Sequence, residues 1–222
     1  MSSADQAADA LAVVPEGIAP PPSIPPRVFA AAAEAYAAGQ RLDMLALCRR
    51  LGISRATLYR RAGNREQLLD QVLWWRARRT LSEQASATAT QHGAARIVAA
   101  IGGVLHAIER DKSLRTLLES DPETALRLLT GTRSAVQQGM VAALERLIDL
   151  ERGRGAFAAG LDTPTLAYAI TRIAEGFLYA DVVADRPPDI ERAITLIAAL
   201  LRGLDLTSKD QDPFPVRSRP NA

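Results

Sequence analysis

The chain has few residues of the kinds that form cross-links or metal sites. Its 222 residues include one cysteine, Cys48, and two histidines. A single cysteine excludes an internal disulfide and is typical of the reducing cytoplasm, where we expect the protein to act. Neither His92 nor His106 lies near a second soft ligand, and the chain lacks a nucleophile–base pair and a phosphate-binding glycine loop. We therefore predict no metal, no cofactor and no catalytic residues.

Long apolar runs and aromatic residues are also scarce. No stretch of about 18 uncharged apolar residues occurs, so we expect no membrane-spanning helix. No basic segment precedes an apolar run at the N-terminus, so we expect no secretory signal. Aromatic residues make up 5% of the chain, whereas alanine and leucine recur throughout. This composition, with apolar residues at helical spacing and no two-residue alternation, predicts an all-α fold.

Proline is concentrated at the two ends of the chain. The first 25 residues hold five prolines and residues 207–222 hold three. Such segments bury little apolar surface, so we predict disordered arms over residues 1–25 and 207–222. Between the arms we place a first helical domain over residues 26–72 and a second over residues 73–206.

Positive charge is gathered in and just after the first of these domains. The whole chain carries a net charge of only +2. Residues 26–80 contain eleven arginines against four acidic residues, a net charge of +7, whereas residues 81–222 carry −2. A local excess of this size favours binding to the phosphates of nucleic acid. The alternative interpretation is that the arginines only solvate helix surfaces.

Residues 52–69 have the pattern of the turn and second helix of a helix-turn-helix, followed by the start of another helix. Gly52 and Ile53 form the predicted turn, and Ser54 is a good N-cap for a short helix that ends near Arg61. The N-terminal end of such a helix enters the major groove of DNA. We expect Leu58 to attach it to the core.

The polar residues of this stretch are expected to contact different parts of DNA according to their position. Arginine can grip the O6 and N7 atoms of guanine, and threonine can contact a thymine methyl group, so the first turn is expected to read bases. Tyrosine and arginine one turn later are expected to hold phosphates, as is the next helix N-terminus. The alternatives are capping alone for Asn64 and a solvated side chain for Arg65. The predicted DNA-binding residues are Arg55, Ala56, Thr57, Tyr59, Arg60, Arg61, Asn64 and Arg65.

This arrangement resembles the TetR family of bacterial transcription regulators. The resemblance covers residues 27–73 and is carried by Gly39, Asp43, Gly52-Ile53-Ser54, Thr57-Leu58-Tyr59 and Asn64-Arg65-Glu66-Gln67-Leu68-Leu69. It implies a three-helix DNA-binding domain joined by a fourth helix to a helical domain for effector binding and dimerisation. It further implies a homodimer, formed through the helices at 163–183 and 189–204, that represses from a pseudo-palindromic DNA operator and is released by a small apolar or amphipathic effector.

Two segments are similar to the QsdR-like branch of this family. One is residues 55–60 leading to residues 64–69, and the other is residues 172–181. This similarity implies that the effector is a lactone-type quorum-sensing signal.

Candidate effector-binding residues lie mainly on the helix predicted at 163–183. Its apolar stripe consists of Leu166, Ile170, Ile173, Phe177 and Leu178, and a second face carries four polar or aromatic residues at helical spacing. That second face is either an exposed surface with an ordinary ion pair or part of a pocket or dimer interface. The predicted ligand-binding residues are His106, Arg133, Tyr168, Arg172, Glu175 and Tyr179.

Two other functions fit part of the sequence. An enzyme such as a lactone hydrolase could use the effector pocket for chemistry, although the chain lacks the catalytic groups described above. A helical adaptor without DNA binding could use the same fold, although the basic helix argues against it.

Overall fold

The structure, a computed structural model, describes residues 24–180 and 188–205. Within these two ranges the regular structure is helical, which confirms the predicted all-α fold. The helices are α1 (Pro26–Ala37), α2 (Met44–Leu51), α3 (Arg55–Ala62), α4 (Arg65–Ala87), α5 (Gly93–Arg110), α6 (Lys112–Ser120), α7 (Pro122–Thr130), α8 (Ala135–Gly153), α9 (Thr163–Glu175) and α10 (Ile190–Leu204). The predicted arms lie outside the described residues apart from Ile24 and Pro25, and Ile24 is buried in the core.

Capping side chains set the starts of the first helices. Asp43 accepts a hydrogen bond from the backbone N–H of Leu45 at 2.7 Å, and Asn64 forms a reciprocal capping box with Gln67. Gly52 ends α2 at φ 64°, a left-handed conformation that glycine adopts without strain. These caps are the ones that the sequence predicts, because each depends on residues at most three positions apart.

The helix-turn-helix packs on a core shared with the rest of the chain. Leu58 of α3 is fully buried, and Phe29 of α1 and Leu68 of α4 lie in the same apolar cluster. This cluster continues into α5, α6 and α7, for example at Leu105 and Leu117. A second cluster joins α5, α8, α9 and α10. Because α4 contacts α1, α5, α7 and α8, it connects the helix-turn-helix with the remainder of the fold.

A buried ion cluster fixes the start of α5 against the end of α8. The carboxylate of Glu151 accepts hydrogen bonds from the backbone N–H of Gly93 at 2.6 Å, Arg96 at 2.8 Å and Arg154 at 3.1 Å. The side chains of Arg96 and Glu151 are completely buried. A buried charge needs such partners, so this cluster ties the two helix ends together.

The helix predicted at 163–183 begins as expected and changes form near its C-terminal end. Its N-cap is Asp162, which accepts a hydrogen bond from the backbone N–H of Thr165 at 2.8 Å, whereas Thr163 lies in the first turn. After Glu175 the helix widens into a π-helical turn over Gly176–Ala180. Because a π turn interrupts the 3.6-residue repeat, residues after Gly176 are rotated relative to the predicted faces. The predicted end of this helix at Val183 lies outside the described residues.

Candidate nucleic-acid interface and effector cavity

Helix α3 presents a polar face to solvent and an apolar face to the core. Leu58 is fully buried and Ala62 nearly so, which leaves the other face outward. Tyr59 keeps 42% of its surface exposed. The remaining solvent-facing residues are Arg55, Ala56, Arg60 and Arg61. Within the described parts of the chain none of these three arginines forms an ion pair, so their guanidinium groups are available to an anionic partner.

The first turn of α3 is held rigid by its own side chains. The hydroxyl of Ser54 accepts a hydrogen bond from the backbone N–H of Thr57 at 3.2 Å, and the two hydroxyl oxygens lie 3.0 Å apart in a second hydrogen bond. Thr57 is half-buried by this arrangement, so its methyl group and hydroxyl have fixed directions. The turn expected to meet base edges is therefore preorganised.

Asn64 and Arg65 have partners within the protein. Asn64 is exposed and its side chain caps α4, accepting from the backbone N–H of Gln67 at 2.8 Å. Arg65 donates from Nε to the carbonyl of Leu42 at 3.1 Å and from Nη1 to Asp121 at 2.9 Å. Arg65 thus links the helix-turn-helix to the junction of α6 and α7. Phosphate contact by these two residues stays a prediction.

The environment of Asp121 favours its charged form. Burial alone would raise the pKa of the Asp121 carboxyl, but hydrogen bonds from Thr124 and from Arg65 outweigh that effect and hold this pKa below its usual value. Asp121 also caps α7 through the backbone N–H of Thr124. One carboxylate therefore serves both the helix cap and the link to Arg65.

A cavity of about 530 Å³ lies among α4, α5, α8 and α9. This volume falls within the range of small-molecule sites. Its walls are mostly aliphatic, with one indole, and consist chiefly of Leu73, Trp75, Ala100, Ile101, Val104, Leu105, Ile108, Leu114, Leu129, Val136, Met140, Ala143, Leu144, Leu147, Ile170, Ala174 and Leu178. Such a lining suits an apolar or amphipathic molecule.

One group of polar residues at the cavity comes from four separate elements. Arg76 of α4 contacts Asp111, the N-cap of α6, with 3.1 Å between Nη2 and Oδ2. Its guanidinium carbon lies 5.3 Å from the ring centroid of Tyr36 in α1. Burial, followed by the charge of Asp111, raises the pKa of the Tyr36 phenol. Burial, followed by the charge of Glu175, raises the pKa of Tyr179 in the π turn.

Glu175 lies at the cavity with a partner outside it. Its carboxylate pairs with Arg172 at 2.8 Å, and the Arg172 guanidinium carbon lies 5.0 Å from the ring centroid of Tyr168. Burial raises the pKa of the Glu175 carboxyl against the opposing effects of Arg172 and of a hydrogen bond from Gln137. The pair is therefore half-buried and bridges the cavity wall and the outer surface of α9.

The structure brings two of the six predicted ligand-binding residues to the cavity. Glu175 and Tyr179 line it. The residues that do not line it are Tyr168, Arg172, His106 and Arg133. Tyr168 is 53% exposed on α9, whereas Tyr179 lies in the π turn and is buried at the cavity.

The other two candidates lie at the surface. His106 faces Glu109 at 3.6 Å and Glu191 at 3.4 Å, and Arg133 is exposed. Sequence reasoning missed Tyr36, Arg76 and Asp111, because their proximity is created by tertiary packing and leaves no local pattern.

Within residues 24–180 and 188–205, no group of three or more potential ligands forms a metal site. In the same ranges no helix is long and apolar enough to cross a membrane.

Comparison with known proteins gives one family and one structural relative. The family described as tetracyclin repressor-like, C-terminal domain, matches residues 92–202. The solved structure of QsdR, a transcriptional repressor of the TetR family from R. erythropolis, is 31% identical in sequence and superposes with a TM-score of 0.70. That match covers 79% of this chain and 93% of QsdR. The search of curated proteins finds no match.

Proposed function

Because the chain belongs to the TetR family of transcription regulators, we propose that it is a homodimeric repressor released from its operator by a small-molecule effector. The operator is a pseudo-palindromic DNA site read by α3 in the cytoplasm. The observation that carries this proposal is the exposed basic face of α3, held to the core by Leu58 and preorganised by the Ser54 cap. Proteins of this family are generally regulators and not enzymes, and we propose the same here.

The proposed DNA contacts follow the geometry of α3. Arg55, Ala56 and Thr57 lie in the first turn and are assigned to base edges, with Arg55 gripping guanine. The exposed residues assigned to phosphates are Tyr59, Arg60, Arg61 and Asn64. Arg65 is the weakest of the candidates because its guanidinium already binds Asp121 and the carbonyl of Leu42. Residues 26–72 form the proposed DNA-binding domain and residues 73–206 the effector and dimerisation domain.

The proposed dimer interface uses the outer faces of α9 and α10. Tyr168 of α9 is 53% exposed and Leu196 of α10 is 46% exposed, so each of the two outer faces presents a large side chain with apolar surface. On α10 the exposed positions Thr195, Ala199 and Gly203 follow one another at four-residue spacing. Small residues at this spacing let a second helix approach closely. These features support packing of the α9 and α10 pair against the same pair of a second copy.

For an effector to release the protein from DNA, it must bind one of two arrangements of the reading helices more tightly than the other. A ligand shifts an equilibrium only by its difference in affinity for the two states. Two reading helices bind successive major grooves when they lie about 34–36 Å apart. Helix α4 contacts both α1 and the cavity wall, so an effector in the cavity is placed to change that separation. A lactone-type signal with an apolar chain fits the aliphatic lining.

A titration with DNA tests this function. We expect the purified protein to bind the DNA upstream of its own gene, measured by fluorescence anisotropy, with affinity that falls steeply as salt rises. The matched control is Arg110→Ala, which removes an exposed arginine far along the chain from α3 and leaves binding unchanged. Light scattering is expected to give the mass of two chains. A monomeric protein, salt-independent binding, or hydrolysis of a lactone by the purified protein would contradict the proposal.

A further inference from the structure

The cavity has a wall that belongs to the DNA-binding part of the fold. Tyr36 is a residue of α1, the first helix of the helix-turn-helix unit, yet it lines the cavity together with residues of α4, α6 and the π turn. Its side chain is only 5% exposed and lies beside Arg76. Any molecule that fills this end of the cavity therefore touches the DNA-binding part directly.

The polar groups at this end have hydrogen-bond donors without partners. Tyr36 and Tyr179 are 5% and 7% exposed, and neither hydroxyl forms a hydrogen bond within the described residues. The Nε–H of Arg76 is also buried without a hydrogen-bond partner. Burial raises the pKa of both phenols, so both hydroxyls keep their protons at neutral pH. Leaving the buried Nε–H of Arg76 unpaired is unfavourable, and the two phenols line the same end of the cavity, so this arrangement is suited to an acceptor supplied from within the cavity.

The two carboxylates at this end of the cavity already have positively charged partners. Asp111 accepts from Arg76 and from the backbone N–H groups of Ser113 and Leu114. Glu175 pairs with Arg172. A ligand carboxylate would approach two carboxylates, and a ligand ammonium would approach Arg76 and displace a formed pair. An uncharged acceptor can accept hydrogen bonds from Tyr36, Tyr179 and Arg76 without bringing two like charges together.

We propose that Tyr36 and Tyr179 recognise an uncharged carbonyl group on the effector, such as that of an ester, lactone or amide, whose apolar chain fills the rest of the cavity. This inference rests on the proposed release by an effector, and it adds the chemical group by which the protein recognises that effector. Tyr36 comes from α1 and Tyr179 from the end of α9, so one carbonyl group bridges the DNA-binding part and the effector part. Occupancy of the cavity is thereby coupled to the position of the helix-turn-helix.

Binding of three probes with the same chain length tests the recognition. Methyl decanoate carries a neutral carbonyl, decanoate an anion and decylammonium a cation. The two tryptophans of the chain are Trp74 and Trp75, and Trp75 lines the cavity, so intrinsic fluorescence reports its occupancy. We expect the ester to bind at least about tenfold more tightly than either charged probe, because the anion approaches Asp111 and Glu175 and the cation approaches Arg76. Failure of the ester to bind, or tighter binding of a charged probe, overturns the proposal.

Two conservative variants and one control test which hydroxyl groups bind the ester. Tyr36→Phe and Tyr179→Phe remove the hydroxyls and keep the rings, and each is expected to weaken binding of the ester by about tenfold. Decylammonium binding is expected to change by less than about twofold in the same variants. Ser120→Ala removes an exposed hydroxyl that lies outside the cavity, so it leaves ester binding unchanged. Ester affinity in Tyr36→Phe equal to that of the unaltered protein removes Tyr36 from the site.

Release of DNA tests the coupling separately. Methyl decanoate is expected to release the unaltered protein from its DNA, and Tyr36→Phe to need about tenfold more ester for the same release. The fluorescence titration needs no DNA, so recognition stands or falls independently of operator binding. If the ester binds and the protein binds no DNA, the proposed repressor function fails and the assignment of the two tyrosines does not. If the ester binds tightly without releasing DNA, the coupling through Tyr36 is wrong.

Discussion

Two groups of arginines in this protein have opposite surroundings. Arg55, Arg60 and Arg61 on α3 are exposed, and the described part of the chain gives them no carboxylate partner. Arg76 and Arg96, on α4 and α5, bind Asp111 and Glu151. The first group can neutralise an external anion, whereas the second holds helices together. The local net charge of +7 therefore overstates the charge that is available to DNA, and pairing with a carboxylate of the protein separates the two uses.

The largest effect is expected in the second group. Glu151→Ala removes the carboxylate that faces the fully buried Arg96, so we expect the free energy of unfolding to fall by about 3–5 kcal/mol. Chemical denaturation followed by circular dichroism measures this loss. The control is Glu123→Ala, whose 86% exposed side chain pairs with Arg127 on the surface and should contribute less than about 1 kcal/mol. Equal losses in the two variants would show that the buried pair holds the helices together no better than a surface pair.

The second-largest effect is expected for Arg55, an exposed arginine of α3 that is proposed to recognise a base. Arg55→Ala is expected to weaken binding to the operator by about 1–3 kcal/mol for each half-site and to relax the base preference at one position of each half-site. Unfolding should be unaffected, because Arg55 is exposed. Selection of binding sites from a random DNA pool measures the preference. An unchanged preferred sequence would remove Arg55 from base reading.

The sequence predicts the α3 face better than it predicts the cavity. The α3 face depends on Ser54, Leu58 and their neighbours in the chain, so caps and helical spacing are enough to predict it. The cavity depends on Tyr36, Arg76, Asp111 and Tyr179, which packing brings together from four elements. The π turn at Gly176–Ala180 also breaks the regular repeat on which the predicted ligand face was based. Local patterns carry no information about either.

A smaller effect is expected at Arg65, which stands between the two groups. Its partner Asp121 has a pKa below its ordinary value of 3.8 in the folded protein, so the charged form adds stability above that pH. As pH falls through the lowered pKa this contribution is lost. Asp121→Asn should therefore be less stable than the unaltered protein at neutral pH, and the difference should shrink in acid. Urea denaturation at several pH values measures it, and a difference that does not change with pH would contradict the link.

The salt dependence of operator binding tests the division of the arginines most directly. The slope of log affinity against log salt concentration should become shallower by about one for each phosphate contact removed. Each substitution occurs in both copies of the proposed dimer, so we predict a decrease of about four for the double variant Arg60→Ala and Arg61→Ala. For Arg65→Ala we predict a decrease clearly smaller than about two, because its guanidinium binds Asp121. An unchanged slope in the double variant would contradict the account. So would a full decrease of about two in Arg65→Ala, because it would place that arginine on a phosphate in each copy.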